Sequence, residues 1–117
     1  MNLKDVIRNV PDYPIKGVQY KDISGILANP RAFEYSIESL MRFLSTRGIT
    51  DIVSPDARGF IWSSPIAFLL GVPLHMIRKP NKLPPPRKSQ SYEYEYDSGV
   101  LQIKADANLN SHRNVCI

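Results

Sequence analysis

Cysteine and histidine are scarce in this 117-residue sequence, which contains one cysteine, Cys116, and two histidines, His75 and His112. A lone cysteine excludes an internal disulfide framework, and no Cys/His cluster has the spacing of a zinc site. We therefore interpret both histidines as structural or surface residues and assign no metal-ligating side chain. The first residues, Met1 to Asp5, also lack the apolar stretch of a secretory signal peptide, so a cytoplasmic location is predicted.

Long apolar runs and the common nucleotide-binding motifs are also absent. Residues 60–77 are largely apolar, but Pro65, Gly71, Pro73 and His75 interrupt them, so no membrane-spanning helix is predicted. Neither G-x-x-x-x-G-K-S/T nor G-x-G-x-x-G occurs, and no Ser, His and Asp residues have a spacing that supports a catalytic triad. Any function must therefore come from a less familiar arrangement.

Charge of one sign is in excess. The sequence has 15 Lys and Arg residues against 11 Asp and Glu residues, which gives a net charge of +4 and a pI of about 9.3. A basic balance indicates an anionic partner, and phosphates, nucleic acid or an acidic membrane would all satisfy it. Charge alone does not choose among them.

The clearest predicted helix begins at Pro30, with Asn29 as its N-cap, and ends before Gly48. Its apolar residues recur on one helical face, as expected of a helix that packs on a core. They are Phe33, Ile37, Leu40, Met41 and Leu44. Before this helix we predict a short helix over residues 4–10 and an extended segment at residues 18–20.

A strand, a helix and a second strand are predicted to follow, with the strands at residues 49–53 and 74–77. The helix between them is predicted to start near Ser63 or Ser64 and to end at Gly71. This order makes a βαβ unit with parallel strands and a right-handed crossover.

The last third of the chain is predicted to contain a hairpin and the start of another strand. The hairpin strands are placed at residues 91–96 and 100–104, with a turn at residues 97–99. Residues 113–117 begin an apolar strand, and because domains rarely stop inside a core strand we expect a longer parent protein. No repeat or linker divides the sequence, so one domain is predicted over residues 1–117.

Two loops that leave the predicted parallel strands are the candidate sites. Residues 56–59 follow the first strand, where ligands of α/β sheets usually bind, and Arg58 with nearby backbone N–H groups would suit a diphosphate. Residues 78–88 follow the second strand and carry five basic side chains. Either loop could instead be a solvated surface feature, and a role in nucleic-acid or partner docking for the second loop stays open.

Six segments together resemble adenine phosphoribosyltransferases, in the order and at the spacing of that family. They are residues 11–14 (PDYP), 17–18 (GV), 21–24 (KDIS), 57–60 (ARGF), 78–84 (RKPNKLP) and 91–96 (SYEYEY). The resemblance covers essentially the whole chain. It implies an α/β, type I phosphoribosyltransferase fold, in which a twisted parallel sheet has flanking helices, an N-terminal hood over residues 1–28, and a flexible loop and β-hairpin flap over residues 79–104.

The same resemblance implies an enzyme of purine salvage, which transfers the phosphoribosyl group of phosphoribosyl pyrophosphate to adenine and gives AMP and pyrophosphate. Mg²⁺, bound mainly through the substrate phosphates, is the implied cofactor. A cytoplasmic homodimer is the implied assembly. Neither a nucleic acid nor a membrane is expected as a partner.

The resemblance also implies roles for individual residues. Pyrophosphate would be bound by Ala57, Arg58, Arg78 and Lys82, with Arg78 assisting within the dimer and a cis peptide bond at Asp56-Ala57. Gln19, Tyr20 and Lys21 would form the adenine-binding hood, with Tyr20 stacked on the base. Glu95 and Tyr96 would be the catalytic residues of the flap, one handling a proton and the other closing the site.

The sequence departs from the family in one major respect, because it ends before the acidic strand end and Thr/Gly-rich loop that hold the ribose 5-phosphate. Two alternatives to the enzyme therefore stay open. One is a catalytically incompetent fragment or ligand-binding regulatory homologue. The other, which has less support, is a basic nucleic-acid-binding module.

Overall fold

The computed structural model describes residues 1–94 and 97–117. It comprises two compact units, Met1–Leu40 and Met41–Ile117. The prediction of one domain over residues 1–117, with its hood and flap regions, stays a prediction.

The first unit is built on an antiparallel hairpin. After one 3₁₀ turn at Leu3–Asp5, strand β1 (Arg8–Pro11) pairs with strand β2 (Gln19–Asp22), and the one-turn helix α1 (Ser24–Leu27) follows. The helix predicted over residues 4–10 is therefore wrong beyond residue 5. A helix of two turns is marginal in isolation, and pairing with β2 gives the same backbone groups their hydrogen bonds.

Helix α2 (Pro30–Leu44) is confirmed in position and in its cap. The Asn29 side chain accepts hydrogen bonds from the backbone N–H groups of Arg31 (3.1 Å) and Ala32 (3.2 Å), which satisfies two of the free donors at the start of the helix. Its buried face includes Ala32, Ile37 and Leu44, whereas Leu40, which we predicted to be core, is 39% exposed.

The second unit contains a parallel sheet in the order β4-β3-β7, formed by β3 (Asp51–Pro55), β4 (Leu74–Ile77) and β7 (Val115–Cys116). Ile52 lies opposite Leu74 on one side and opposite Cys116 on the other. β3 is central and its first four residues are buried, as expected for a parallel strand covered on both faces. The α/β class and the parallel βαβ unit are confirmed.

Helix α3 (Gly59–Leu70) joins β3 to β4 and begins earlier than predicted. Tight turns from Phe60 N–H to the Ala57 carbonyl and from Ile61 N–H to the Arg58 carbonyl, each 3.2 Å, open the helix directly after the strand. The serines that we read as caps, Ser63 and Ser64, are therefore inside the helix. Its end is as predicted, at Gly71, which has the left-handed conformation (φ 67°).

The hairpin of the second unit consists of β5 (Arg87–Tyr94) and β6 (Asp97–Lys104), paired from Arg87 opposite Lys104 onward. The turn predicted at residues 97–99 is wrong, because these residues belong to β6. Gly99 lies opposite Tyr92, and a β-carbon on Gly99 would approach the Tyr92 hydroxyl oxygen to 2.8 Å. The glycine that looked like a turn signal thus makes room for a cross-strand tyrosine.

The longest described helix, α2, has 15 residues, and none of the described helices combines the length and apolarity that a bilayer span requires.

Candidate functional site

The loops after β3 and β4 meet at the carboxyl edge of the parallel sheet. Asp56 directly follows β3, and its backbone N–H donates to the carbonyl of Ile77, the last residue of β4, at 2.8 Å. The Asp56-Ala57 peptide bond is cis, as the resemblance implied. Parallel strands thus bring the two candidate loops of the sequence to one place.

The side chain of Asp56 lies at the centre of this edge and gathers two cations. Its Oδ2 accepts from Arg78 Nε at 3.4 Å and from Lys82 Nζ at 3.2 Å. The carboxylate is only 4% exposed, whereas the Arg78 and Lys82 side chains are 27% and 46% exposed. A buried anion therefore holds two partly exposed cations on its solvent side.

Burial and hydrogen bonding have opposite effects on the pKa of Asp56. Burial would raise it, but hydrogen bonds from Lys82, from the Lys79 backbone N–H and from Arg78 outweigh burial and hold the pKa below its ordinary value. The carboxylate is therefore ionised at neutral pH, and the interaction joins three full charges.

Arg78 is held by more than this ion pair. Its guanidinium carbon lies 5.9 Å from the centre of the Phe60 ring in the first turn of α3. Its backbone N–H and carbonyl both pair with the backbone of Gln102 in β6, each at 2.8 Å. Arg78 is thus fixed between the start of α3 and the hairpin.

The loop that carries Lys82 is attached to the hairpin. Leu83 is 7% exposed, and its carbonyl accepts from Arg87 Nη1 at 2.7 Å. Lys104 Nζ donates to the carbonyls of Pro84 (3.2 Å) and Pro85 (3.1 Å). The ammonium of Lys82 therefore projects from a loop with anchors on its carboxyl side.

Of the four residues predicted to bind pyrophosphate, the structure brings Arg78 and Lys82 together, because both side chains contact the Asp56 carboxylate. Ala57 and Arg58 follow Asp56 in the chain, and Arg58 is the exposed N-cap residue of α3. Their binding roles stay predictions. Asp56 itself was missed as a contributor, because its two side-chain partners lie 22 and 26 residues away in the sequence.

The three residues predicted to bind adenine lie on β2 in the first unit, and their side chains separate. Lys21 Nζ donates to Asn9 Oδ1 at 2.7 Å, and Asn9 Nδ2 donates to Gln19 Oε1 at 2.9 Å, so Gln19 and Lys21 share one face of the hairpin. Tyr20 points to the other face, as alternation along a strand requires, and its ring packs edge-on against Tyr13 at 5.0 Å.

A cavity of about 400 Å³ lies on the face of the hairpin that carries Lys21. It is lined by Lys4, Ile7, Asn9 and Lys21. The Tyr20 ring lies on the opposite face of β2 from the Lys21 side chain. Its predicted stacking on adenine, and the hydrogen bonds predicted from the main chain beside it, stay predictions. Glu95 and Tyr96, predicted to be catalytic, lie outside the described residues, and their roles stay predictions.

A second polar cluster surrounds Asp51 at the amino end of β3. Asp51 accepts from Thr50 Oγ1 at 2.7 Å, lies 2.9 Å from His75 Nε2 and 3.7 Å from Arg113 Nη1, and its side chain is 3% exposed. Hydrogen bonds from His75 and Thr50 lower the pKa of Asp51 despite burial, which opposes them, and the Arg113 charge adds to the effect. His75 is therefore a structural residue, as predicted.

The Asp51→Asn variant is expected to have a lower Tm than the unchanged chain near pH 7, and the difference is expected to shrink at about pH 3. The folded-state pKa of Asp51 lies below its unfolded value, so its contribution is present above roughly pH 4 and is lost as pH falls through the folded pKa. Scanning calorimetry at both pH values measures the difference. Asp106→Asn, which removes an exposed carboxylate of the same unit, should show little change at either pH.

Comparison with known proteins gives one negative result and one close match in sequence. No protein-family model matches the chain. It is 43% identical over 116 residues to the adenine phosphoribosyltransferase of Caldanaerobacter subterraneus subsp. tengcongensis, an alignment that covers 99% of this chain and 67% of that protein.

Two solved structures show the same fold. The adenine phosphoribosyltransferase of Thermoanaerobacter pseudethanolicus superposes with a TM-score of 0.88 at 43% identity, covering 97% of this chain and 65% of that one. The Saccharomyces cerevisiae enzyme, complexed with D-2,5-dideoxy-2,5-imino-altritol 1,6-bisphosphate and adenine, gives a TM-score of 0.82 at 31% identity, covering 97% of this chain and 66% of that one.

The chain spans about two thirds of the length of these curated relatives. The match runs through both units, from the hairpin of the first to the sheet of the second, and the TM-scores show that it extends to the fold. This chain belongs to the adenine phosphoribosyltransferase family.

Proposed function

We propose that the protein transfers the 5-phosphoribosyl group of phosphoribosyl pyrophosphate to adenine, giving AMP and pyrophosphate. The observation that carries the proposal is the convergence of Arg78 and Lys82 at the carboxyl edge of the sheet, beside Ala57 and Arg58, in a chain 43% identical to an adenine phosphoribosyltransferase. The complex of the yeast relative with adenine and a bisphosphate supports both substrate classes.

The chemistry of the transfer explains why cations belong at this edge. As the bond from the ribose C1′ to pyrophosphate breaks, negative charge accumulates on the leaving diphosphate and positive charge on the sugar. A guanidinium and an ammonium, each with several N–H donors, stabilise the departing charge through charge-assisted hydrogen bonds. Arg58, at the start of α3, would add a third cation.

Mg²⁺ is proposed to enter this site bound to the substrate phosphates. Among residues 1–94 and 97–117, no group of three His, Cys, Asp or Glu side chains lies together as a ready metal site. The carboxylate at the edge, Asp56, is already engaged by Arg78 and Lys82. Phosphate oxygens therefore suit the ion better than protein ligands here, and the bound ion would neutralise part of the diphosphate charge.

Three side chains are proposed to act on the base side of the reaction, those of Tyr20, Glu95 and Tyr96. Tyr20 would stack on adenine and the β2 backbone beside it would hydrogen-bond the base. Glu95 would handle the proton at the base, and Tyr96 would close the site. Replacing Glu95 by Gln, with AMP formation measured across pH, separates proton handling from binding.

Three measurements on the same purified chain distinguish the proposed function from its alternatives: AMP formation, pyrophosphate binding and DNA binding. The purified chain is incubated with radiolabelled adenine, phosphoribosyl pyrophosphate and Mg²⁺, and AMP is measured, while calorimetric titration follows pyrophosphate binding. Formation of AMP supports the enzyme. Binding without AMP supports the alternative of a catalytically incompetent fragment or ligand-binding regulatory homologue. If neither occurs in a folded chain, and mixed-sequence DNA binds with a steep salt dependence, the nucleic-acid-binding alternative replaces the proposal.

A cytoplasmic homodimer is also proposed, and the outer face of α3 supports an interface. Phe68 and Leu69 are 84% and 56% exposed, which is unusual for two adjacent large apolar side chains. Multi-angle light scattering gives the mass directly. Phe68→Ser should weaken a dimer formed through this face, whereas Phe43→Ser should not, because Arg47 already covers the Phe43 ring at 3.8 Å.

The Lys82→Ala variant is expected to lose turnover with little loss of stability. Removal of one charge-assisted hydrogen bond to the leaving group should lower kcat about 10- to 100-fold. Because the side chain is 46% exposed, its ion pair with Asp56 contributes little to folding, and the Tm should fall by less than about 4 °C. Lys88→Ala, at an exposed lysine of β5, is the control. A large fall in Tm with normal kinetics would contradict this expectation.

A further inference from the structure

The contacts of Asp56 form a clasp between the loop after β3 and the loop after β4. Three donors from the second loop reach this one carboxylate, namely Arg78 Nε, Lys82 Nζ and the backbone N–H of Lys79. The backbone N–H of Asp56 donates to the carbonyl of Ile77, the last residue of β4, at 2.8 Å. Asp56, whose side chain is 4% exposed, thus ties residues 78–82 of the basic loop to the end of β3.

Two cations this close repel each other unless an anion lies between them. Both use the same oxygen, Oδ2, and because that carboxylate is 4% exposed, water screens its negative charge less than it would at the surface. Without the carboxylate, the more exposed Lys82 side chain, with its flexible stem, would move into solvent. Asp56 therefore overcomes the repulsion that would otherwise separate Arg78 and Lys82.

The contacts with Asp56 leave donors over for a ligand. Asp56 takes the Nε–H of Arg78, and a guanidinium has four further N–H groups on its two terminal nitrogens. It takes one hydrogen from the ammonium of Lys82, which has three. The two side chains can thus contact Asp56 and a diphosphate at the same time.

We propose that Asp56 is a positioning residue for the transfer, whose carboxylate holds the Arg78 guanidinium and the Lys82 ammonium together to receive the diphosphate. The inference rests on the proposed function, since the ligand is the leaving group of that reaction. Asp56 acts through the two cations and does not touch the diphosphate itself.

If Asp56 acted only through its negative charge, the expected change in diphosphate affinity would have the opposite sign. If Asp56 only repelled the diphosphate, Asp56→Asn would remove a negative charge from the site and binding would become tighter. If Asp56 positions the cations, the same change loosens them and binding becomes weaker. The sign of the change in affinity decides between the two.

The experiment titrates inorganic pyrophosphate into the chain by calorimetry, in a buffer with fixed Mg²⁺. We expect Asp56→Asn to weaken binding about tenfold, the loss of roughly one charge-assisted contact. Asp106→Asn, which makes the same change in net charge at an exposed position of the same unit, should leave the affinity unchanged. Asp56→Glu keeps the charge but displaces it by one methylene, so it also should bind more weakly, and it serves if the Asn variant does not fold.

A double-mutant cycle separates positioning from a general structural defect. In a Lys82→Ala background one of the two positioned cations is gone. Asp56→Asn should therefore weaken pyrophosphate binding clearly less in that background than the tenfold expected in the unchanged chain. An equal loss in both backgrounds, or an affinity in Asp56→Asn that equals or exceeds that of the unchanged chain, overturns the inference alone. An unchanged chain that binds no pyrophosphate overturns both the inference and the proposed function.

Discussion

Replacing Arg58 with alanine is expected to lower kcat/KM for phosphoribosyl pyrophosphate about 100- to 1,000-fold, the usual result of removing one donor that faces charge developing in a transition state. The side chain lies at the N-cap of α3 and makes no capping hydrogen bond to the helix. The residue is exposed and lies three positions beyond the end of β3, outside the strands of the parallel sheet. We therefore expect activity to fall much further than stability.

Two further variants make the Arg58 prediction specific. Arg58→Lys keeps the charge but loses the planar fork that binds two phosphate oxygens, so an intermediate loss of about tenfold is expected. Arg31→Ala removes an exposed arginine from the first turn of α2 and should leave kcat/KM unchanged. Steady-state kinetics with AMP as the measured product tests the expected ranking, in which kcat/KM is lowest for Arg58→Ala, intermediate for Arg58→Lys and unchanged for Arg31→Ala. Melting curves of all three variants report their stability. Equal activity of Arg58→Ala and Arg31→Ala would remove Arg58 from the proposed site.

Features that depend on local chemistry were predictable from the sequence. Helix α2 was recognised because Asn29, Pro30 and a periodic apolar face act within a few residues of one another. The βαβ unit was recognised because Gly71 ends α3 in a left-handed conformation and two short apolar runs flank it. Parallel pairing of β3 and β4 then placed the loops with Arg58 and Lys82 at one edge.

Features that depend on distant partners were not predictable. The clasp joins Asp56 to side chains 22 and 26 residues away, and no local pattern marks which carboxylate two cations will share. Residues 8–11 are extended because β2 pairs with them, and this pairing overrides a weak helical preference. Gly99 was read as a turn, whereas its role is to lie under the Tyr92 ring of the opposite strand.

Replacing Gly25 with alanine is expected to destabilise the first unit by about 3 kcal/mol, the upper part of the range for an overpacked site. Gly25 lies in α1, and a β-carbon there would collide with the backbone carbonyl oxygen of Val6. Helix propensity alone favours alanine by only about 1 kcal/mol. The collision outweighs this gain because a carbonyl of the main chain, unlike a side chain, cannot rotate away unless the whole segment before β1 moves.

Gly48→Ala is the matched control for this prediction. Gly48 has a φ of 60°, but a β-carbon there would meet nothing within 4 Å, so alanine costs only the left-handed conformation, about 1 to 2 kcal/mol. Urea unfolding should therefore rank Gly25→Ala as the less stable variant. A Gly25→Ala chain as stable as the unchanged one would mean that Val6 yields easily.

The Gly25 variant also connects the fold of the first unit to the proposed reaction. The segment that must move leads into β1, and β1 aligns β2 with its Gln19, Tyr20 and Lys21. At a temperature where Gly25→Ala remains folded, we expect the KM for adenine to rise about tenfold while the affinity for pyrophosphate stays unchanged, because the diphosphate residues belong to the second unit. An equal loss of affinity for adenine and for pyrophosphate would show that the β1–β2 hairpin does not affect adenine binding alone.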